Sequence, residues 1–332
     1  MTALGRSATG RAPREVITGW ARHHSWALGL LAFLIVLLLF TKGIQPRYGA
    51  AGIQGLAISV LPLVLAAVAQ AIVVIGGGID LSIASIMALT SVVAATLMKG
   101  QTEEFGIAVV LGVLVLGVAI GAINGALVVI TRVPDIVVTL AMSFVWAGTA
   151  LLVLKTPGGG SALWLKDLVS GPLGNEWIPK AAIVLIVVVA IVWLPLRRST
   201  VGLSIYAIGS NQLAAFRSGV SVGRTKVVAY ALMGLFAALG GLSLTASTGI
   251  GTPVPGPYTL FSVAAIVLGG VSLAGGVGGL FGPIIAVIIL SLIRTDMTFL
   301  NVNTNLAVVA QGVILIAVVM FGSVIQMRRA RS

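Results

Sequence analysis

The stretch VVIGGGIDLSIASI, residues 73–86, sets three glycines and an aspartate between two long apolar runs. Asp80 is the one acid read near membrane depth, where ionisable groups mark ion paths and proton relays. A carboxylate dyad would need a second such aspartate. The other acids, Glu15, Glu103, Glu104, Asp135, Asp167, Glu176 and Asp296, are read in loops, in the tail or at span ends. Histidine occurs only as His23 and His24, in a basic N-terminal tail, and cysteine is absent. A His-based zinc or general-base site within the apolar chain is thereby excluded, as are disulfides and thiol chemistry. Neither G-x-x-x-x-G-K-[ST] nor G-x-G-x-x-G occurs, so the chain is not read as an enzyme and no cofactor, metal or catalytic residue is assigned to it.

The elements that must hold Asp80 follow from composition. Of 332 residues, 58% are hydrophobic and 8% charged, far from the roughly 25% charged of soluble domains. Apolar runs of span length recur, and they do not alternate as barrel strands do. The expected fold is all-α: a polytopic membrane protein embedded in the lipid bilayer. About ten spans are read, near 25–41, 52–75, 82–98, 106–130, 136–155, 178–196, 225–247, 259–271, 279–293 and 305–323. The eighth and ninth are short and flanked by glycine. The net charge of +12 is scattered between spans rather than gathered on one face, so nucleic acid is rejected as a partner. Arg6, Arg11, Arg14 and Arg22 ahead of the first apolar run could belong to a signal peptide or to a retained tail, and the retained tail is preferred. With both termini cytoplasmic, thirteen basic residues fall inside and seven outside, as the positive-inside rule asks. The chain then divides into a basic tail (1–24), a transmembrane domain (25–323) carrying a cytoplasmic loop at 197–226, and a second basic tail (324–332).

Within that loop, SNQLAAFRSG reads as one short helix. Ser210 or Asn211 can cap its start, and Gly219 can supply a left-handed stop. Leu213, Ala214 and Phe216 make a small apolar patch with Arg217 nearby. It is either a lever for a partner or an amphipathic connector on the bilayer. The bend at Gly76, Gly77, Gly78, Asp80 and Ser82 has two readings as well. Glycines turn the chain tightly and Asp80 or Ser82 caps the third span, or the bend is part of an inner gate. Irregular backbone at membrane depth needs protein or a water-filled cavity around it. GGVSLAGGVGG, with Gly269, Gly270, Gly275 and Gly276, is a second such bend, and paired glycine-interrupted segments point to a transport path. Gly117, Gly121 and Gly125 form a small-x-x-x-small face for close helix packing. Asn124 beside them lines a polar path or bonds a neighbouring helix. The outside stretch 156–177, with Trp164 and Trp177, is a surface loop or part of a docking surface.

Four segments in order resemble the permease subunit of binding-protein-dependent ABC importers of the ribose-type sugar class. They are GGGIDLSIASIMALTSVVAATL, GAINGALVVITRVPDIVVTLAMSFVWAG, GLSIYAIGSNQLAAFRSGVSVGRTKVVAYALMGLFAALGGL and VLGGVSLAGGVGGLFGPIIAVIIL, spanning about residues 73–290. The resemblance implies that 208–219 is the helix that docks on the ATPase, through Gly209, Asn211, Ala214, Ala215 and Gly219, with Arg217 beside them. Phe216 departs from the small or aliphatic residue common in the family, and Asp135 and Ile136 follow Pro134 where the family often has a second proline or an aromatic. The resemblance further implies ATP and Mg on a separate ATPase subunit, an extracytoplasmic solute-binding protein, a second permease chain (homodimer or related heterodimer) and a bacterial inner membrane. Rival readings are a permease of the same superfamily for a nucleoside, branched-chain amino acid or furanose signal, an ion-coupled secondary transporter or channel, and an intramembrane enzyme.

Overall fold

The computed structural model describes residues 25–303 and the helical positions 306, 309, 312, 313, 316 and 320. Both tails and most of the tenth expected span lie outside the described residues. Twelve helices are described up to residue 299. They are α1 (Ser25–Ile44), α2 (Ala50–Ile75), α3 (Ile83–Met98), α4 (Glu103–Thr131), α5 (Asp135–Val153), α6 (Leu163–Val169), α7 (Lys180–Arg198), α8 (Thr200–Ser210), α9 (Gln212–Arg217), α10 (Val222–Thr248), α11 (Tyr258–Leu268) and α12 (Phe281–Phe299). A small antiparallel hairpin, β1 (Pro172–Leu173) with β2 (Asn175–Pro179), stands between α6 and α7.

Seven helices, α1, α2, α4, α5, α7, α10 and α12, are long and apolar enough to cross a membrane. The third and eighth expected spans are the shorter apolar helices α3 and α11. The chain is therefore a polytopic all-α membrane protein.

At the centre are α2, α3 and α10. The second half of α2 is buried almost without interruption from Val60 to Ile75, and α3 is buried on nearly every face. A helix surrounded by protein has no lipid face to give away, which is why these two show no polar stripe. α1, α5 and α7 lie outside and expose large side chains such as Leu39, Phe144 and Ile191, as lipid-facing helices do. Most polar side chains inside the bundle bond one another or the backbone. The Ser91 and Thr245 hydroxyls meet at 2.9 Å across α3 and α10, and Thr90 donates to the Ile86 carbonyl at 2.7 Å.

α10 packs closely on α4 because glycines line both sides. A Cβ on Gly121 would fall on the Tyr230 carbonyl, one on Gly117 on the Gly234 carbonyl, and one on Gly234 on the Gly117 carbonyl. Asn124 follows on the same helix and is fully buried.

Three expectations need correction. α12 runs on to Phe299, past the expected end at 293, so Asp296 is a buried residue of the last turns of a span. Residues 200–210, read as loop, form α8, with Gly202, Ile205 and Ile208 turned inward. The stretch 156–177, read as a surface loop or part of a docking surface, is not a simple loop: it holds α6 and most of the β1–β2 hairpin. Gly158 pairs with Gly251, and the Glu103 carboxylate accepts the N–H groups of Leu163 (3.1 Å) and Trp164 (3.3 Å) at the start of α6.

The glycine seam gives a paired test. Gly121→Leu is expected to destabilise the detergent-solubilised protein by about 3 kcal/mol or more, since backbone rather than a movable side chain blocks the new group. Gly112→Leu, on the same helix with nothing within 4 Å of its Cβ position, should melt within a degree or two of wild type. Equal melting temperatures for the two variants would remove the seam as a packing constraint.

Candidate functional site

The α2–α3 bend begins as a glycine stop. Gly77 takes φ +80°, and the N–H groups of Gly77 and Gly78 return to the carbonyls of Val74 (2.9 Å) and Val73 (3.0 Å). These bonds close the helix end inside the bundle, where water cannot do so. Asp80 follows, wholly buried. Its Oδ1 accepts the Ser82 N–H and the Ser82 hydroxyl, each at 2.6 Å, and its Oδ2 accepts the Asn124 amide at 3.3 Å. Asn124 also donates to the Ser82 Oγ at 2.8 Å and accepts the Trp146 indole N–H at 3.1 Å. A buried carboxylate is tolerated when its oxygens are met by donors in this way. Neither Asp80 nor Ser82 caps α3 with its side chain; Asp80 instead ties the bend to α4, and through Asn124 to α5.

A second acid braces the same bend from outside. Asp135, the first residue of α5, accepts the Tyr230 hydroxyl at 3.0 Å and pairs with Lys226 at 3.5 Å. A Cβ on Gly78 would meet both the Asp135 carboxylate and the Tyr230 hydroxyl. Thr139, one turn along α5, accepts the Leu81 N–H at 3.0 Å. Asp135, Thr139, Trp146, Lys226 and Tyr230 were not singled out as site residues from sequence. The one available signal was Lys226 and Tyr230 four apart, which places two polar heads on one face of α10.

The two glycine-rich bends meet. Gly276 donates its N–H to the Ile75 carbonyl, the last of α2, at 2.8 Å. Gly209, near the end of α8, lies between them: a methyl there would collide with that carbonyl and with the Gly276 N–H. Gly275 at φ +86° sits against the Cα atoms of Gly77 and Gly209, and Gly276 at φ +70° against Ser210. Tyr206 of α8 donates to the Gly278 carbonyl at 2.8 Å. Three chain segments thus touch backbone to backbone. Gly76 lies beside Ile205. Gly269 and Gly270 lie at the other end of the second bend. Gly269 packs on Gly282 at the start of α12, while Gly270, at φ +85°, lies against Trp26, whose indole donates to the Leu268 carbonyl at 2.8 Å.

From this junction the chain passes directly into α9. Asn211 caps it by accepting the Ala214 N–H at 2.9 Å, while Ser210 belongs to α8. Gly219 at φ +87° ends it, with Val220 donating back to the Ala215 carbonyl at 3.0 Å. Ala215 faces inward. Leu213, Ala214, Phe216 and Arg217 are exposed, Leu213 at 59% and Phe216 at 65%. Beside α9 opens a cleft of about 500 Å³ lined by Arg132, Pro134, Asp135, Gln212, Gly223 and Lys226 among others. Among the described residues, no group of three or more His, Cys, Asp or Glu side chains is placed to hold a metal ion.

The family described as branched-chain amino acid transport system / permease component matches residues 52–319. The chain belongs to this permease family. It is similar to the ribose import permease protein of Escherichia coli strain K12, 33% identical over 261 residues, covering 76% of this chain and 80% of that one. It is also similar to the L-arabinose ABC transporter permease protein of Azospirillum brasilense, 33% identical over 299 residues and covering 88% and 86% of the two chains. The D-allose transport system permease protein of Escherichia coli strain K12 is 29% identical over 323 residues, 96% of each chain. No solved structure matches the permease chain.

In this permease the Asp80–Asn124 contact predicts non-additivity. Asp80→Asn and Asn124→Ala should each destabilise the protein by about 1–3 kcal/mol. The double variant should recover at least ~1 kcal/mol of their sum, as residues of one hydrogen-bond network do. Thermal melting of the four proteins in one detergent checks this, and strict additivity would show that the two side chains are independent.

Proposed function

We propose that this permease is the transmembrane subunit of an ATP-driven ABC importer for a sugar or a similar polar solute. The observation that carries the reading is the placement of α9. It presents Leu213, Ala214, Phe216 and Arg217 outward, and its root at Gly209 and Ser210 touches both glycine bends. A partner gripping α9 would therefore move the ends of α2 and of the 269–279 segment together. That partner would be an ATPase that binds ATP with Mg and hydrolyses it. The printed names of the ribose, arabinose and allose relatives supply the solute class.

In this reading the end carrying Arg132, Arg197, Arg198, Arg217 and Lys226 is cytoplasmic, in a bacterial inner membrane. An extracytoplasmic binding protein delivers solute to the opposite end, near α6 and the β1–β2 hairpin. A second permease chain, identical or related, completes the path. Gly76, Gly77, Gly78, Asp80 and Ser82 with Gly269, Gly270, Gly275 and Gly276 form the inner gate, and Gly209, Asn211, Ala214, Ala215, Arg217 and Gly219 form the ATPase-coupling segment. Asn124 fixes the gate to α4 rather than lining a path. A second solute reading is kept open by the family's description, which names branched-chain amino acids, and by a 27% identical autoinducer 2 import permease. The ion-coupled reading loses ground at the bend, because Asp80 already accepts from Ser82 and Asn124.

The test is co-purification. Leu213→Glu with Phe216→Glu places two charges on the exposed face of α9 without touching its cap or stop. Wild type is expected to bring down a P-loop ATPase identified by mass, and the doubly substituted protein, with unchanged melting temperature, to lose at least nine-tenths of it. Solute uptake by the purified permease with no ATPase present would overturn the reading.

A further inference from the structure

Gln70 lies on α2 and is completely buried, and neither its Oε1 nor its Nε2 has a hydrogen-bond partner among the described residues. The contrast with its surroundings is sharp. Asp80, Thr90, Ser91, Asn124, Thr139, Ser243, Thr245 and Ser262, all buried, each have a partner. The other two side chains left with buried unpartnered atoms, Tyr48 and Asp296, lie near the far end of α2, where Tyr48 meets Phe299 edge to face. Gln70 instead stands five residues before Ile75, about 8 Å along the helix axis from the carbonyl that holds Gly276.

An amide with both ends unsatisfied is a cost that a leucine of similar size would avoid. Nothing in the fold uses it: it caps no helix and joins no network. An amide both donates and accepts, which is what a sugar hydroxyl also does. We propose that Gln70 is a solute-contacting residue of the translocation path, covered in this arrangement and uncovered when the glycine junction parts. Its amide then bonds solute hydroxyls and favours polyhydroxylated solutes over apolar ones of the same size. The proposal rests on the transport reading above and adds a residue and a chemistry to it.

The permease has no native cysteine, so Gln70→Cys introduces a single thiol into an otherwise blank chain. In proteoliposomes holding the permease with its ATPase and binding protein, a membrane-impermeant maleimide should leave this thiol unmodified without ATP. During turnover it should label at least tenfold faster, and saturating ribose, allose or arabinose, whichever is transported, should slow that labelling. Gln70→Leu is the second arm. It should melt at or above the wild-type temperature, keep its ATPase bound, and transport the same sugar at least tenfold more slowly. Labelling that ignores turnover overturns the proposal, as does wild-type transport by Gln70→Leu or a melting point several degrees lower, which would make the amide structural. Transport by wild type without ATPase would sink only the ATP-driven reading, since labelling of Gln70→Cys during that transport, and its protection by sugar, still decides the residue's role.

Discussion

Ile75 ends a helix in the interior of an apolar bundle, and its carbonyl must find a donor that is not water. Gly276 supplies it, from a segment two hundred residues further along the chain. Much of the arrangement at this end of the molecule follows from that bond. The donor's backbone has to reach the α2 terminus, so Gly275 and Gly276 carry no side chains. Gly209 fills the remaining space because even one methyl would break the contact. The helix end, the second glycine bend and the root of α9 are therefore one object, held by main-chain atoms.

Around that object, two carboxylates do different jobs. Asp80 is sealed in and hydrogen-bonded by donors from its own bend and from α4. Asp135 braces the bend from its flank, through Tyr230 and Lys226 of α10. One acid ties the bend to α4 and, through Asn124, to α5, while the other links it to α10, the helix that leads out of the 211–221 segment.

Local features were legible in the sequence. Asn211 as a cap and Gly219 as a left-handed stop depend on neighbours a few residues away, and residue type announces them. The spacing of Gly117, Gly121 and Gly125 announced a close-packed face. What could not be read was long range. No local rule brings Gly209 between Ile75 and Gly276, and lipid-facing helices are apolar all round, so their sequences do not say which face meets protein. α8 was missed because its serines, tyrosine and glycines read as loop, although Ile205 and Ile208 anchor it. Asp296 falls just past the span end expected at 293, because a charge reads as a boundary, although α12 continues to Phe299. Gln70 drew no attention at all, since one amide in a run of valines and alanines carries no pattern. Its significance appears only when its partners are counted.

The seam between α4 and α10 has a mechanical side. Most helix pairs touch through side chains, which absorb small displacements by changing rotamer, so that motion fades within a layer or two of packing. Gly117, Gly121 and Gly234 have no torsions to adjust, and the atoms in contact are carbonyls and α-carbons that belong to the helix rods themselves. A push on α10 therefore reaches α4 with its full amplitude, as between two meshed gears rather than two cushions.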